Sequence, residues 1–349
     1  MAAEKAGHYG KAAYWYGKAA AQGEADAEYN LGALYDQGHG MPQNYAQAAY
    51  WYAKAAAQGE AKAEYSLGVD YESGQGVPQD YAQAARWWGK AAVQGYAHAE
   101  YNLGLLYDDG QGVTRDHARA AYWYAKAAAQ GYAKAECNLG LLYAYGQGVA
   151  QDYAKAAYWW HKAAAQGEAN AESNLGVLSD NGQGVPQDYA QAAYWYGKAA
   201  AQGEADAEYN LGLLYANGQG VPQDYARAAY WYGKSAAQGY VGAEYNLGVD
   251  YDNGRGVPQD YAKAAYWYRK AALGGAADAA YNLGLLYANG QGVPQDYVAA
   301  YKWFILAKAA GVHGGASSVM TLLAVVMTPA QIAQAQAQAA DWHQRHGRH

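Results

Sequence analysis

Residues Tyr209 to Ala226 read YNLGLLYANGQGVPQDYA. The turn Gly218-Gln219-Gly220 at its centre resembles a phosphate-cradling loop, so its reading decides the fold. A dinucleotide loop follows a strand, and a Walker loop ends in Gly-Lys-Ser/Thr. Here Val221-Pro222 follows, and a helical stripe precedes: Ala207, Leu211, Leu214, Tyr215 and Gly218 recur at helix spacing and end on a glycine stop. The turn is therefore a connection between two helices, with glycine supplying positive φ. The second helix opens at Asp224, whose carboxylate can accept from first-turn amides. In three copies a Gln follows the cap by three positions, as Gln83 follows Asp80, which matches a capping box. This helix buries Ala228, Trp231, Tyr232 and Ser235 and closes at Gly239.

The same unit is written along most of the chain. Tryptophan falls at 15, 51, 87, 123, 159, 195, 231, 267 and 303, and Leu-Gly falls at 31, 67, 103, 139, 175, 211, 247 and 283, always 36 residues apart. A fixed period of this size signals a solenoid whose units bury their apolar faces only against neighbours. No stretch alternates like a strand. The fold expected is all-α: a right-handed α-solenoid of two-helix, 36-residue repeats with a C-terminal capping helix. Residues 1–23 form a partial N-terminal repeat with only a second helix, 24–311 hold eight repeats, and 312–349 form the cap and tail. Gly212 and its copies sit inside a helix at a cost of roughly 0.5–1 kcal/mol relative to Ala, which implies a neighbouring helix too close for a methyl group. In the tail, Thr328 caps, Pro329 takes the first turn and Gln331 completes a box, with Ile332, Ala335, Ala339 and Trp342 on one apolar face.

The pattern A-E-Y-N-L-G-x-L-Y-x-x-G-x-G-V-P-Q-D-Y-x-x-A-x-x-W-x-x-K-A-A-x-Q-G resembles the Sel-one-like repeat, a relative of the tetratricopeptide repeat with a longer interhelix turn. The resemblance spans about Tyr9 to Gly311. It implies protein–protein interaction, with the first helix of each repeat lining a concave face, and roles in assembling envelope, membrane-associated or signalling complexes of bacteria.

Composition narrows the classes further. The formal net charge is −7, which gives no electrostatic footprint for nucleic acid or anionic lipid. The longest apolar run, around Val319 to Met327, is far short of the ~20 residues a membrane span needs. A single cysteine, Cys137, excludes an intrachain disulfide. The compartment stays open: periplasmic or secreted if a signal peptide has been removed, cytoplasmic otherwise. No serine-hydrolase, penicillin-recognising or zincin layout is present. His343, His346 and His349 could grip a metal on one helix face, but a terminal helix frays, so no metal and no cofactor is expected.

Comparison of the copies separates packing from surface. Position 52 and its equivalents stay aromatic and should be buried, Trp51 and its copies read as core wedges, and position 50 tolerates Arg86 and Lys302 and should face outward. Lys54 and its copies are expected to pair between repeats with the glutamate ten residues later, such as Glu64. Asp70 and Asp250 stand where other copies have leucine, and partial exposure is expected for them. The lining expected for the concave face is Tyr29, Asp36, Tyr65, Glu72, Tyr101, Asp108, Asp109, Tyr145, Asn181, Tyr209, Asn217, Tyr245, Asp252, Asn253, Tyr281 and Asn289. Over all four lining positions carboxylates outnumber lysines nine to two. Amides that bond a backbone in both directions, tyrosine rings and carboxylates suit an extended peptide or protein segment, neutral to cationic. The leading reading is a non-catalytic adaptor, with self-association through the uncapped N-terminus as an added role. A small-molecule receptor or hydrolase using a central groove pocket near Cys137, Tyr145 and Ser173 is a second reading, and a purely structural spacer a third.

Overall fold

The computed structural model describes residues 2–346, the side chains of 2–7, His313 and His346 excepted. All regular structure among them is helical. A lone helix, α1 (Ala2–Ala20), precedes eight pairs: α2 (Ala25–Gln37) with α3 (Tyr45–Ala57), α4 (Ala61–Ser73) with α5 (Tyr81–Val93), α6 (Ala97–Asp109) with α7 (His117–Ala129), α8 (Ala133–Tyr145) with α9 (Tyr153–Ala165), α10 (Ala169–Asn181) with α11 (Tyr189–Ala201), α12 (Ala205–Asn217) with α13 (Tyr225–Ala237), α14 (Val241–Asn253) with α15 (Tyr261–Leu273), and α16 (Ala277–Asn289) with α17 (Tyr297–Ala309). Two helices follow, α18 (His313–Val326) and α19 (Pro329–His346). The chain forms two compact units: one runs through Ala171 and includes Gln183–Val185, and the other takes Glu172–Gly182 and the described residues from Pro186 onward.

The interhelix turn works as its residues dictate. Gly218 is left-handed at φ +68° and its amide donates to the Leu214 carbonyl, satisfying a group that the helix end leaves free. Gln223 braces the turn by donating to the Ala216 carbonyl at 2.8 Å, and Asp224 accepts from the Arg227 amide at 2.9 Å. The second glycine of G-x-G has a different duty. A Cβ on Gly220 would lie 2.2 Å from the carbonyl carbon of Tyr189, so each turn rests on the start of the second helix one repeat back. Within a pair, a Cβ on Gly212 would lie 2.7 Å from the Tyr232 ring. The close neighbour implied by that glycine is the position-52 aromatic.

Tyr52, Trp88, Tyr124, Trp160, Tyr196, Tyr232, Tyr268 and Phe304 are all buried. Trp51, Trp87, Trp123, Trp159, Trp231 and Trp267 are half-buried and laid against the cluster of the two preceding helices, as Trp123 is on that of α5 and α6 and Trp231 on that of α11 and α12, and Trp303 is buried. Trp15 in α1 lacks such neighbours and is 64 % exposed. Position 50 faces outward as expected, with Tyr158 and Tyr230 more than half exposed.

The lysine–glutamate expectation is corrected. Lys162 Nζ lies 2.9 Å from Glu136 Oε1, and Lys234 Nζ lies 3.2 Å from Glu208 Oε1. The glutamate is thus on the first helix of the same repeat, 26 residues earlier, and it is buried. Its other oxygen accepts from a glutamine thirty residues on: Gln166 at 2.8 Å for Glu136, Gln94 at 2.7 Å for Glu64. The lysine meets Oε1 off the direction a hydrogen bond needs, so that attraction is chiefly coulombic. The same ammonium covers a wedge ring, as Lys162 does at 4.9 Å from the Trp159 centroid. Glu136→Gln should cost about 1–2 kcal/mol, because the amide keeps an acceptor for Gln166 and loses only the pull of a partly exposed lysine. A urea titration of the full chain checks this, and an unchanged midpoint would leave the ion pair without energetic weight.

The last repeat replaces this polar set with Ala280, Leu306 and Ala310, and α19 covers them. Trp342 meets Trp303 edge-on at 5.0 Å, and Ala335 and Ala339 are buried. The Thr328 amide donates to Gln331 Oε1 at 2.8 Å, and Thr328 Oγ1 accepts from the Gln331 amide at 3.3 Å. The capping box and the sealing face are those read from the tail. No described helix is long and apolar enough to cross a membrane.

Candidate partner-binding face

Six of the eight first helices carry a tyrosine two residues before Leu-Gly, and Cys137 and Ser173 take its place in α8 and α10. Tyr29, Tyr65, Tyr101, Tyr209, Tyr245 and Tyr281 are half-buried. One side of each ring lies on the buried aromatic of its own repeat: Tyr29 on Tyr52 at 5.7 Å, Tyr101 on Tyr124 at 5.9 Å, Tyr245 on Tyr268 at 6.1 Å, Tyr281 on Phe304 at 5.5 Å. The hydroxyls of Tyr65, Tyr101, Tyr209 and Tyr245 sit beside Asn102, Asn138, Asn246 and Asn282 of the following first helix, and that of Tyr29 beside Ser66. Burial raises these phenols, Tyr101 to about 12, so they remain protonated. The tyrosines therefore help to hold successive modules together and present only an edge outward, a double use the sequence did not announce.

The carboxylates divide into two groups. Asp108 accepts from the buried Tyr124 hydroxyl at 3.3 Å and meets His117 Nδ1 at 2.6 Å, and Asp252 accepts from Tyr268 at 3.0 Å. Asp36 is half-buried, and burial raises its carboxyl. These three are directed inward. Glu72, Asp109, Tyr145, Asn181, Asn217, Asn253 and Asn289 are exposed, although Asn253 donates to its own helix at the Val249 carbonyl. The acidic character of the face is weaker than the residue count implies.

Three aromatic residues of this face escaped the sequence reading. Tyr96, Tyr132 and Tyr240 occupy the position just before the first helix, where Glu24, Glu60, Glu168 and Glu204 stand in other copies. In the first unit they build a continuous run with His98. Tyr65 meets Tyr96 at 5.1 Å and His98 at 5.8 Å, His98 meets Tyr132 at 5.1 Å, and Tyr132 meets Tyr101 at 5.0 Å. The signal available was the change from glutamate to tyrosine in consecutive copies.

Cys137 is buried, and burial followed by Glu168 pushes its thiol up to about 12, which leaves no thiolate for nucleophilic chemistry near neutral pH. It borders a recess of about 210 Å³ with Tyr101, Lys134, Asn138, Glu168 and Asn170. Tyr145, eight residues further along the helix, does not line this recess, and Ser173 belongs to the second unit. His343 is exposed, the side chain of His346 is not described, and His349 lies outside the described residues. Among the described residues no cluster of three His, Cys, Asp or Glu is placed to hold a metal ion.

Asp70 and Asp250 are buried rather than partly exposed, each with Oδ2 unpartnered. Burial pushes both carboxyls up to about 7, with Asp36 raising Asp70 further and Arg255 opposing the rise at Asp250.

The profile of the Sel1 repeat matches residues 9–24, 25–60, 61–96, 97–132, 133–168, 169–204, 205–240, 241–275 and 277–312. Among the curated proteins, none matches significantly. A Sel1 repeat protein from Oxalobacter formigenes is 34 % identical with a TM-score of 0.70, over 88 % of this chain and 89 % of that one. A protective antigen present in uropathogenic Escherichia coli strains, displaying an SLR fold, is 32 % identical with a TM-score of 0.52, over 95 % of this chain and 86 % of that one. With every glycine joint, cap and wedge of the motif in place and the profile matched nine times, the chain belongs to the Sel1 repeat family.

Proposed function

We propose that the chain is a non-catalytic scaffold that recruits an extended peptide or protein segment, neutral to cationic, along its first-helix face. The observation that supports this most is the aromatic run Tyr65–Tyr96–His98–Tyr132–Tyr101, in which Tyr96 and Tyr132 replace the glutamate of other copies and stay half-buried against the core rather than within it. Rings already held by their neighbours lose little entropy on binding. Exposed Glu72 and Asp109 supply acceptors on α4 and α6, the helices of this run. Self-association through Trp15 of α1, which is 64 % exposed, is part of the same proposal.

A displayed library of random peptides panned on the full chain should return basic, extended sequences. Binding of a selected peptide should weaken at least about tenfold, or 1.4 kcal/mol, in Tyr96→Ser and in Tyr132→Ser. The outward-facing Tyr158→Ser and Tyr194→Ser should bind as the parent does. Equal losses in both pairs would move the contact off this face, and a library without binders would favour the spacer.

A further inference from the structure

The eight repeats obey a pairing rule that one of them breaks. Where the residue five after Leu-Gly's leucine is aspartate, the buried position-52 aromatic is tyrosine: Asp36 with Tyr52, Asp108 with Tyr124, Asp180 with Tyr196, Asp252 with Tyr268. Three of these tyrosines donate to their aspartate. Where that residue is Glu72, Ala144 or Ala288, the aromatic is Trp88, Trp160 or Phe304, none of which has a hydroxyl to satisfy. The sixth repeat combines Ala216 with Tyr232, so the carboxylate is missing where the hydroxyl remains.

Two further departures fall at the same place. The seventh repeat puts Asp250 where six copies have leucine, and Arg255 where the other copies have glutamine or, once, His39. Together they border a cavity of about 210 Å³ with Asn217, Tyr225, Tyr232 and Asn246. Leu213 and Val249 give it an apolar wall. That volume far exceeds the roughly 30 Å³ a water molecule takes up in the liquid. Asp250 is buried with Oδ2 unpartnered, and a buried carboxylate in this condition needs a donor. Arg255 is exposed, and its guanidinium can donate to an acceptor that enters. A lone cation entering here would be repelled by Arg255 and a lone anion by Asp250. A molecule with both charges one carbon apart satisfies both groups.

We propose that this cavity binds a free α-amino acid with a small or medium apolar or hydroxyl side chain, its ammonium on Asp250 and its carboxylate on Arg255. Asn246, whose side chain already meets the Tyr209 and Tyr232 hydroxyls, lines the polar end, and Leu213 and Val249 receive the side chain. The site uses no residue of the aromatic run and shares only Asn217 with the proposed peptide-binding face.

Calorimetry of the full chain at pH 8 with glycine, L-alanine, L-serine and L-leucine tests it, with ethylamine and acetate as half-ligands. At least one amino acid should bind saturably with one-to-one stoichiometry. Asp250→Leu and Arg255→Gln each install the residue used by sister repeats, so both should stay folded, and each should weaken binding at least about tenfold. Both half-ligands should bind at least about tenfold more weakly than the best amino acid. The proposal fails if no amino acid saturates at roughly 10 mM, if either variant binds as the parent does, or if ethylamine alone matches the amino acid.

Discussion

Replacing Gly220 by alanine should destabilise the second unit by about 3 kcal/mol or more, while Gly239→Ala should cost it about 1 kcal/mol. Both glycines have positive φ, +68° and +86°, and share the penalty an L-residue incurs there. They differ in what surrounds them. Nothing lies within 4 Å of a Cβ on Gly239, whereas one on Gly220 meets the Tyr189 carbonyl carbon at 2.2 Å and the Ala190 nitrogen at 2.4 Å. Those atoms belong to backbone at the start of α11, which cannot rotate away as a side chain would. The difference between the two variants therefore measures how tightly consecutive repeats abut. Urea unfolding followed by tryptophan fluorescence reads it, using midpoints because repeat arrays need not unfold in two states. Equal losses would mean that the G-x-G turn answers only to its own φ.

Asp70→Leu should stabilise the first unit, and the gain should grow with pH. The folded carboxyl sits at about 7, against roughly 3.9 for an unfolded aspartate. Because the folded pKa is the higher one, the folded state holds more protons between these values, and stability falls as pH rises through that window. Below about pH 4 both states are protonated and the group costs nothing; above about pH 7 the full cost is present. Three pK units at about 1.36 kcal/mol each give roughly 4 kcal/mol. The gain from Asp70→Leu at pH 8 should exceed that at pH 4 by about this amount, on top of a pH-independent gain from the added apolar contact. Urea midpoints of parent and variant at the two pH values test this, and a gain independent of pH would show that the carboxyl is hydrated. Asp36 faces Asp70 and is itself raised, so its titration contributes in the same direction.

The elements that position the candidate site were legible because each was written eight times. Gly212 announced a close neighbour, Asp224 a cap and Trp231 a wedge, and each role follows from local chemistry that repetition makes visible. Depth was harder to read. Helical spacing gives the side of a helix but not how far its neighbours cover it, so Asp70 and Asp250 looked partly exposed although both are buried. The same limit misassigned the partner of Lys162. Each of Lys54, Lys90, Lys126, Lys162, Lys198 and Lys234 has a glutamate ten residues ahead and one 26 residues back, and only the packing of α8 against α9 selects Glu136. On the surface, Tyr29 and Tyr245 were recognised as a row but not as joints between modules. Tyr96 and Tyr132 were passed over because they precede their helices and fall outside any helix stripe.

The proposed binding face is tested most directly by finding where a bound peptide lies. A peptide selected on the full chain, carrying a photoreactive benzophenone at its central position, can be crosslinked and its attachment sites mapped by mass spectrometry. The account predicts attachment within α4, α6 and the turns bearing Tyr96 and Tyr132. Attachment concentrated on Tyr122, Tyr158 and Tyr194 of the second helices would contradict it.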